Sequence, residues 1–173
     1  MIPYEDQRAL EDLHNRFVHA ADRRDYALLR SLYADDAVEE HGRFTGPVDE
    51  FVAWLRGVHE YFAIATHTIG NLVFATGGDT AESEGRGVTY LRMAGDAPFN
   101  AIVVNRHFDR YRRVGGRWLF ARRALCVDWA QEFAPADSPA IVAGIPQGTM
   151  GTDDPLYAKV PNLVAALRAG IRS

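Results

Sequence analysis

From Glu5 to Ala21, apolar side chains recur at three- and four-residue steps, with Leu10, Leu13, Phe17 and Ala21 on one stripe. This predicts an amphipathic first helix with a single buried face. Asp25 is suited to cap a short second helix carrying Leu28, Leu29, Leu32 and Tyr33, and Gly46-Pro47 predicts a third with proline at its first position. That third helix sets Phe51, Leu55, Val58 and Phe62 on one side. After Thr66 the period changes to two, with breaks at Gly77-Gly78-Asp79, at Ala94 to Pro98 and at Gly115-Gly116. The runs between them predict four strands in meander order, roughly His67 to Ala75, Thr80 to Met93, Phe99 to Arg113 and Arg117 to Trp129. A shorter strand around Ala37 to Phe44 joins the same sheet. Helices followed by long antiparallel strands read as an α+β fold, and the expectation is that the N-terminal helices close over the sheet. The chain is rich in Pro and Gly from Gln131 until Asp154-Pro155, after which Leu156, Val160, Leu163, Leu167 and Ile171 predict a last helix. The expected organisation is one domain over residues 1–130 and a tail over residues 131–173 whose final helix packs on the same domain or on a neighbouring subunit.

Composition narrows the class. A chain of 173 residues with 47% hydrophobic and 24% charged side chains fits one globular unit. The formal charge is -4 and the arginines are scattered, so there is no electrostatic basis for binding a phosphate backbone, and no nucleic-acid partner is expected. Cys126 is the single cysteine, and the residues from Met1 to Asp6 contain no basic segment leading into an apolar run. Both features predict a cytoplasmic protein. No run of about 18 consecutive apolar residues occurs, so no membrane partner is expected either.

Three residues stand where they could carry chemistry. Asp22 falls at the end of the first helix, where the helix dipole disfavours a carboxylate unless a donor compensates it; it either caps the turn Asp22 to Asp25 or meets such a donor. His67 opens the first long strand, as a structural histidine bonded to backbone or as a base. Alternation in the last strand puts Leu119, Ala121, Arg123, Leu125 and Val127 on one face, so Arg123 interrupts an apolar surface. Its guanidinium needs a carboxylate, a ligand anion or a path to water. In the preceding strand Phe99, Ala101, Val103, Asn105 and His107 share a face, two polar groups after three apolar ones, as in a pocket wall. A three-residue loop at Val114 to Gly116 would set His107 opposite Arg123; a two-residue loop would set Phe108 there. There is no His-Glu-x-x-His, Gly-x-Ser-x-Gly, Walker or Gly-x-Gly-x-x-Gly motif, and His14, His19, His41 and His59 show no metal-ligand spacing. A site with no metal and no cofactor is the default expectation.

Asp22 after a first helix, Tyr33-Ala34-Asp35-Asp36-Ala37-Val38, Gly46-Pro47 before a third helix, His67-Thr68-Ile69-Gly70-Asn71, and Tyr111 to Phe120 with its Val114-Gly115-Gly116-Arg117-Trp118 turn occur in this order. Together they resemble the SnoaL-like branch of the nuclear transport factor 2-like superfamily, with scytalone dehydratase, hexachlorocyclohexane dehydrochlorinase and bile acid 7α-dehydratase as the nearest mechanistic types. The resemblance covers about Glu5 to Trp129. It implies a cone-shaped α+β barrel, a curved and mostly antiparallel sheet closed by the N-terminal helices, with a pocket at its open end. It also implies an Asp22–His67 pair acting as general base, assisted by Arg123, and pocket-lining roles for Phe17, Tyr33, Val58, Phe62, Ala65, Val103, Asn105, His107 and Val127. The activity implied is a cofactor-independent lyase of dehydratase type, acting on a small hydrophobic cyclic or polycyclic molecule. The alternatives are an isomerase or polyketide cyclase on the same scaffold, or a non-catalytic ligand- or partner-binding module. A homo-oligomer, trimer or dimer, is expected. The chain departs from scytalone dehydratase in having Ala21 where that enzyme has a tyrosine before its aspartate. It departs from the dehydrochlorinase in having Phe17 where that enzyme has a lysine, and in lacking its tryptophan near Glu39.

Overall fold

A computed structural model describes residues 2–137 and 139–169 of the chain. Pro3 precedes the first helix, α1 (Tyr4–Asp22), whose first turn carries Glu5 and Asp6 against the positive end of the dipole. Its buried stripe is the one the periodicity predicts, Leu10, Leu13, Phe17 and Ala21, with His14 and Ala20 added. Asp25 caps α2 (Tyr26–Ser31) by accepting from the Leu28 amide. The third helix, α3 (Val48–His59), begins one residue later than expected, because Pro47 is its N-cap and closes a strand.

The sheet is larger than the meander. Two short strands, β1 (Tyr33–His41) and β2 (Phe44–Pro47), precede α3, and β3 (Phe62–Gly77), β4 (Thr80–Met93), β5 (Asn100–Val114) and β6 (Arg117–Phe133) follow it. β3 starts five residues before the predicted His67, and β6 runs four beyond Trp129. Strand order is β2-β1-β6-β5-β4-β3. β1 lies parallel to β6, and every other neighbouring pair is antiparallel. β2 and β3 are the two edges of an open, curved sheet, the cone-shaped α+β arrangement that was expected, closed by the helices and not by strand pairing. The helices cover its concave side: Leu10, Phe17, Leu29, Phe51 and Phe120 are all buried in one core.

The β5–β6 hairpin has the two-residue loop, Val114 pairing with Arg117, yet the expected consequence does not follow. Tyr111 pairs with Phe120, but Arg110 pairs with Arg122, so Ala121 is an extra residue in β6. This bulge places Asp109, rather than His107 or Phe108, opposite Arg123. It also breaks the predicted alternation, so that Trp118, Phe120 and Arg123 are all buried.

The predicted last helix is two short ones, α5 (Pro155–Lys159) and α6 (Pro161–Arg168), after a single turn, α4 (Pro139–Val142). Pro161 breaks it: a proline restricts the preceding residue, and Val160 sits at φ -136° and ψ 60°. Ile171 lies outside the described residues. The described tail rests on this chain's own helices. Leu167 packs on the core, Arg16 donates to the Leu167 carbonyl at 3.1 Å, and Arg168 pairs with Asp25 at 2.9 Å. Among the described residues, no helix is long and apolar enough to cross a membrane.

Candidate active site

Between α1, α3 and the concave face of the sheet lies a cavity of about 200 Å³. Its wall is mainly apolar, from Phe17, Trp54, Leu55, Phe62, Leu91 and Leu125 among others, with polar groups from His41, His59, His67, Thr89, Asn105 and His107.

Asp22 and His67, 45 positions apart, meet at this wall. His67 Nδ1 lies 2.5 Å from Asp22 Oδ1, and the His67 backbone N–H donates to Asp22 Oδ2 at 3.1 Å. Both partners are mostly buried. The carboxylate at the negative end of α1 thus receives two donors, which answers the dipole objection raised by its position. The turn after α1 closes through its own backbone, Asp25 N–H to Ala20 O at 2.9 Å, with Arg24 in the left-handed region at φ 53°. A carboxylate on Nδ1 puts the imidazole proton there and leaves the Nε2 lone pair as an acceptor.

Across the sheet, Asn105 and His107 project from β5 into the same cavity. The Asn105 amide donates to Thr89 Oγ1 at 3.4 Å, while Asn105 Oδ1 and His107 Nδ1 are buried with no hydrogen-bond partner among the described residues. Gly87, cross-strand from Asn105, makes room for it, since a Cβ there would lie 2.6 Å from Asn105 Oδ1. Burial holds His107 well below the ordinary histidine range, aided by the nearby Arg123 charge, so it is a neutral imidazole.

Arg123 stands elsewhere than expected. It is fully buried and does not line the cavity; its guanidinium sits against two rings set edge to face, Phe17 at 3.9 Å and Phe120 at 4.3 Å. Nε donates to Asp109 Oδ1 at 2.9 Å. Burial pushes Asp109 up to about 6 despite this cation, so at neutral pH the pair is ionised. The Ala121 bulge is the cause: it turns Arg123 into the layer behind Phe17, so its part is to hold the wall. Tyr33 is likewise behind the wall, buried among Phe17, Phe51 and Phe120, with its hydroxyl donating to Glu39 Oε2 at 2.8 Å. Val127 pairs with Asn105 but is 51% exposed and outside the cavity, next to a second irregularity in β6 at Asp128. Phe17, Val58, Phe62, Ala65, Val103, Asn105 and His107 do line it.

Two histidines in the wall have no role in the sequence reading. His41 Nδ1 lies 3.1 Å from the buried carboxylate of Glu39. His59, at the end of α3, has Nδ1 2.9 Å from the Tyr26 hydroxyl. The signals were spacing alone: Glu39 and His41 are two apart on a strand, and His59 falls four residues after Leu55 on the buried stripe of α3.

Residues 3–124 match the profile of the SnoaL-like domain. The chain belongs to the SnoaL-like family. The fold agrees with that of several solved structures. A hexachlorocyclohexane dehydrochlorinase (LinA) of type 2 superposes with a TM-score of 0.71 at 19% identity, over 78% of this chain and 93% of that one. The type 3 dehydrochlorinase from Novosphingobium barchaimii LL02 gives a TM-score of 0.70 at 19% identity, over 78% and 94%. A scytalone-dehydratase-like protein from Novosphingobium aromaticivorans DSM 12444 gives 0.68 at 20% identity, over 77% and 91%. No curated protein sequence matches the chain.

Proposed function

We propose that this SnoaL-like protein is a lyase of dehydratase type, eliminating a leaving group from a small hydrophobic cyclic or polycyclic substrate with the Asp22–His67 pair as general base. The observation that carries the reading is the 2.5 Å contact between His67 Nδ1 and Asp22 Oδ1 in the wall of an apolar cavity. His67 Nε2 takes a proton from a carbon next to an activating carbonyl. The C–H electron pair becomes the new double bond, and the β hydroxyl or other leaving group departs with its own bonding pair. Asp22 holds the tautomer and stabilises the imidazolium that forms. Charge developing on the carbonyl oxygen is met by neutral donors in the wall, such as the Asn105 amide, and not by Arg123.

The test is turnover of a panel of hydroxylated ring ketones by the wild type, His67→Ala and Asp22→Asn. Both variants are expected to lose at least about 100-fold in kcat. Full activity in both removes the mechanism. A product with a shifted double bond and the leaving group still attached replaces elimination by isomerisation. The reading includes self-assembly as a trimer or dimer through the outer sheet face, where the cross-strand neighbours of Ile102 and Val104 are Tyr90, 49% exposed, and Trp129, 48% exposed. A monomer by light scattering removes that part.

A further inference from the structure

We infer that His59 is a second catalytic imidazole of the cavity, a neutral hydrogen-bond donor held in the Nε2–H tautomer by the Tyr26 hydroxyl and complementary to His67. The inference rests on the elimination proposed above and supplies the group that would polarise the substrate oxygen while His67 takes the proton.

The argument starts from what each imidazole is tied to. His67 Nδ1 faces a carboxylate, which only accepts, so its proton sits on Nδ1 and Nε2 is a lone pair. His59 Nδ1 faces a phenol at 2.9 Å, which has a proton to give. Burial keeps that phenol protonated, raising Tyr26 above its ordinary value even with the Arg56 guanidinium 4.1 Å over its ring. Among the described residues the Tyr26 hydroxyl has one polar partner, His59 Nδ1, so the phenol donates and the histidine accepts there. The ring proton of His59 is then on Nε2. The ring is 4% exposed and forms part of the cavity wall with Leu55, Val58 and Phe62. Two imidazoles of one cavity thereby carry opposite faces, an acceptor on His67 and a donor on His59.

The surroundings fix that arrangement. Arg24 Nη2 donates to the carbonyls of His59 and Phe62, both at 2.8 Å, and so pins the corner where α3 passes into β3. Burial lowers His59 to about 4, with the charge of Arg24 adding to it, so the ring is uncharged at neutral pH. A neutral imidazole has no spare proton to release; it acts by holding its N–H against an oxygen that becomes more negative in the transition state. Proton transfer in the reaction stays with His67.

Two measurements on the full chain test this. In ¹⁵N-labelled protein without ligand at pH 7, long-range imidazole spectra are expected to show His59 protonated on Nε2 and His67 on Nδ1. A His59 ring protonated on Nδ1, or on both nitrogens, overturns the inference. Binding of 2-naphthol, whose oxygen accepts a hydrogen bond, is then compared with binding of naphthalene. His59→Leu is expected to weaken 2-naphthol about 5- to 10-fold and leave naphthalene unchanged, with His59→Gln recovering most of the loss and Tyr26→Phe showing a smaller one. Equal weakening of both compounds marks a packing role and overturns it, as does unaltered 2-naphthol binding in His59→Leu. Failure of the wild type to bind either compound counts against the ring-substrate reading, and the tautomer spectra still decide the role of His59.

Discussion

Arg123 shows how one side chain can be indispensable without touching the cavity. Its guanidinium lies in the corner made by two aromatic rings and against Asp109, with the buried Glu39 on the neighbouring strand position. Removing it strands two acidic groups where water does not reach. Arg123→Met is expected to cost about 3–5 kcal/mol in urea unfolding, and Arg123→Met with Asp109→Leu to recover part of that loss. Gly87 sets a different limit. Gly87→Ala brings a methyl to 2.6 Å from Asn105 Oδ1, so the amide must leave its place in the wall. Turnover is expected to fall about 10-fold while stability falls by about 1–3 kcal/mol, as read by initial rates and thermal melts. Asp22 and His67 were visible in the chain as a misfit carboxylate at a helix end and a histidine at a strand start. Their meeting was legible only through the order of the surrounding segments. His59 was not, because a histidine in the last turn of a helix is ordinary dipole compensation until the Tyr26 hydroxyl is known to be beside it.

Strand alternation carried the β5 wall correctly: Val103, Asn105 and His107 all face the cavity. It failed at Arg123 because of the extra residue at Ala121, since a bulge leaves no mark in a pattern of period two. Deleting Ala121 takes out only the unpaired residue, so Arg122 is expected to stay opposite Arg110 and Arg123 opposite Asp109 in the variant. The tail was misread for an equally local reason: an apolar spacing of helical period ran across Val160-Pro161, and the proline divided it. The helices of the N-terminal half were the most legible elements, because each has a cap or proline at its start and a stripe on its buried side.

At the scale of the whole molecule, three histidines are folded in as neutral groups. Burial lowers His14 to about 2 and His59 to about 4, and holds His107 well below the ordinary range. Below about pH 6.5 the unfolded chain binds protons at these positions and the folded chain does not, so stability is present above that pH and is lost as the pH falls toward 4. Asp109, raised to about 6, works in the opposite sense, being protonated in the folded state before the unfolded one. It offsets one of the three. The melting temperature is therefore expected to drop steeply between pH 6 and 4, with a shallower slope in His59→Gln; a flat profile would contradict the buried neutral rings. A second property of the whole is that β3 is an outer strand, so His67 has β4 on one side and no strand on the other. The bond from its main-chain N–H to Asp22 Oδ2 replaces the missing neighbour, and the same carboxylate steers the ring. Backbone and base are thus latched by one group, and deuterium uptake at the His67 amide becomes a gauge of the latch that needs no substrate. Slow uptake in the wild type and rapid uptake in Asp22→Ala would show the strand margin and the imidazole coming loose together.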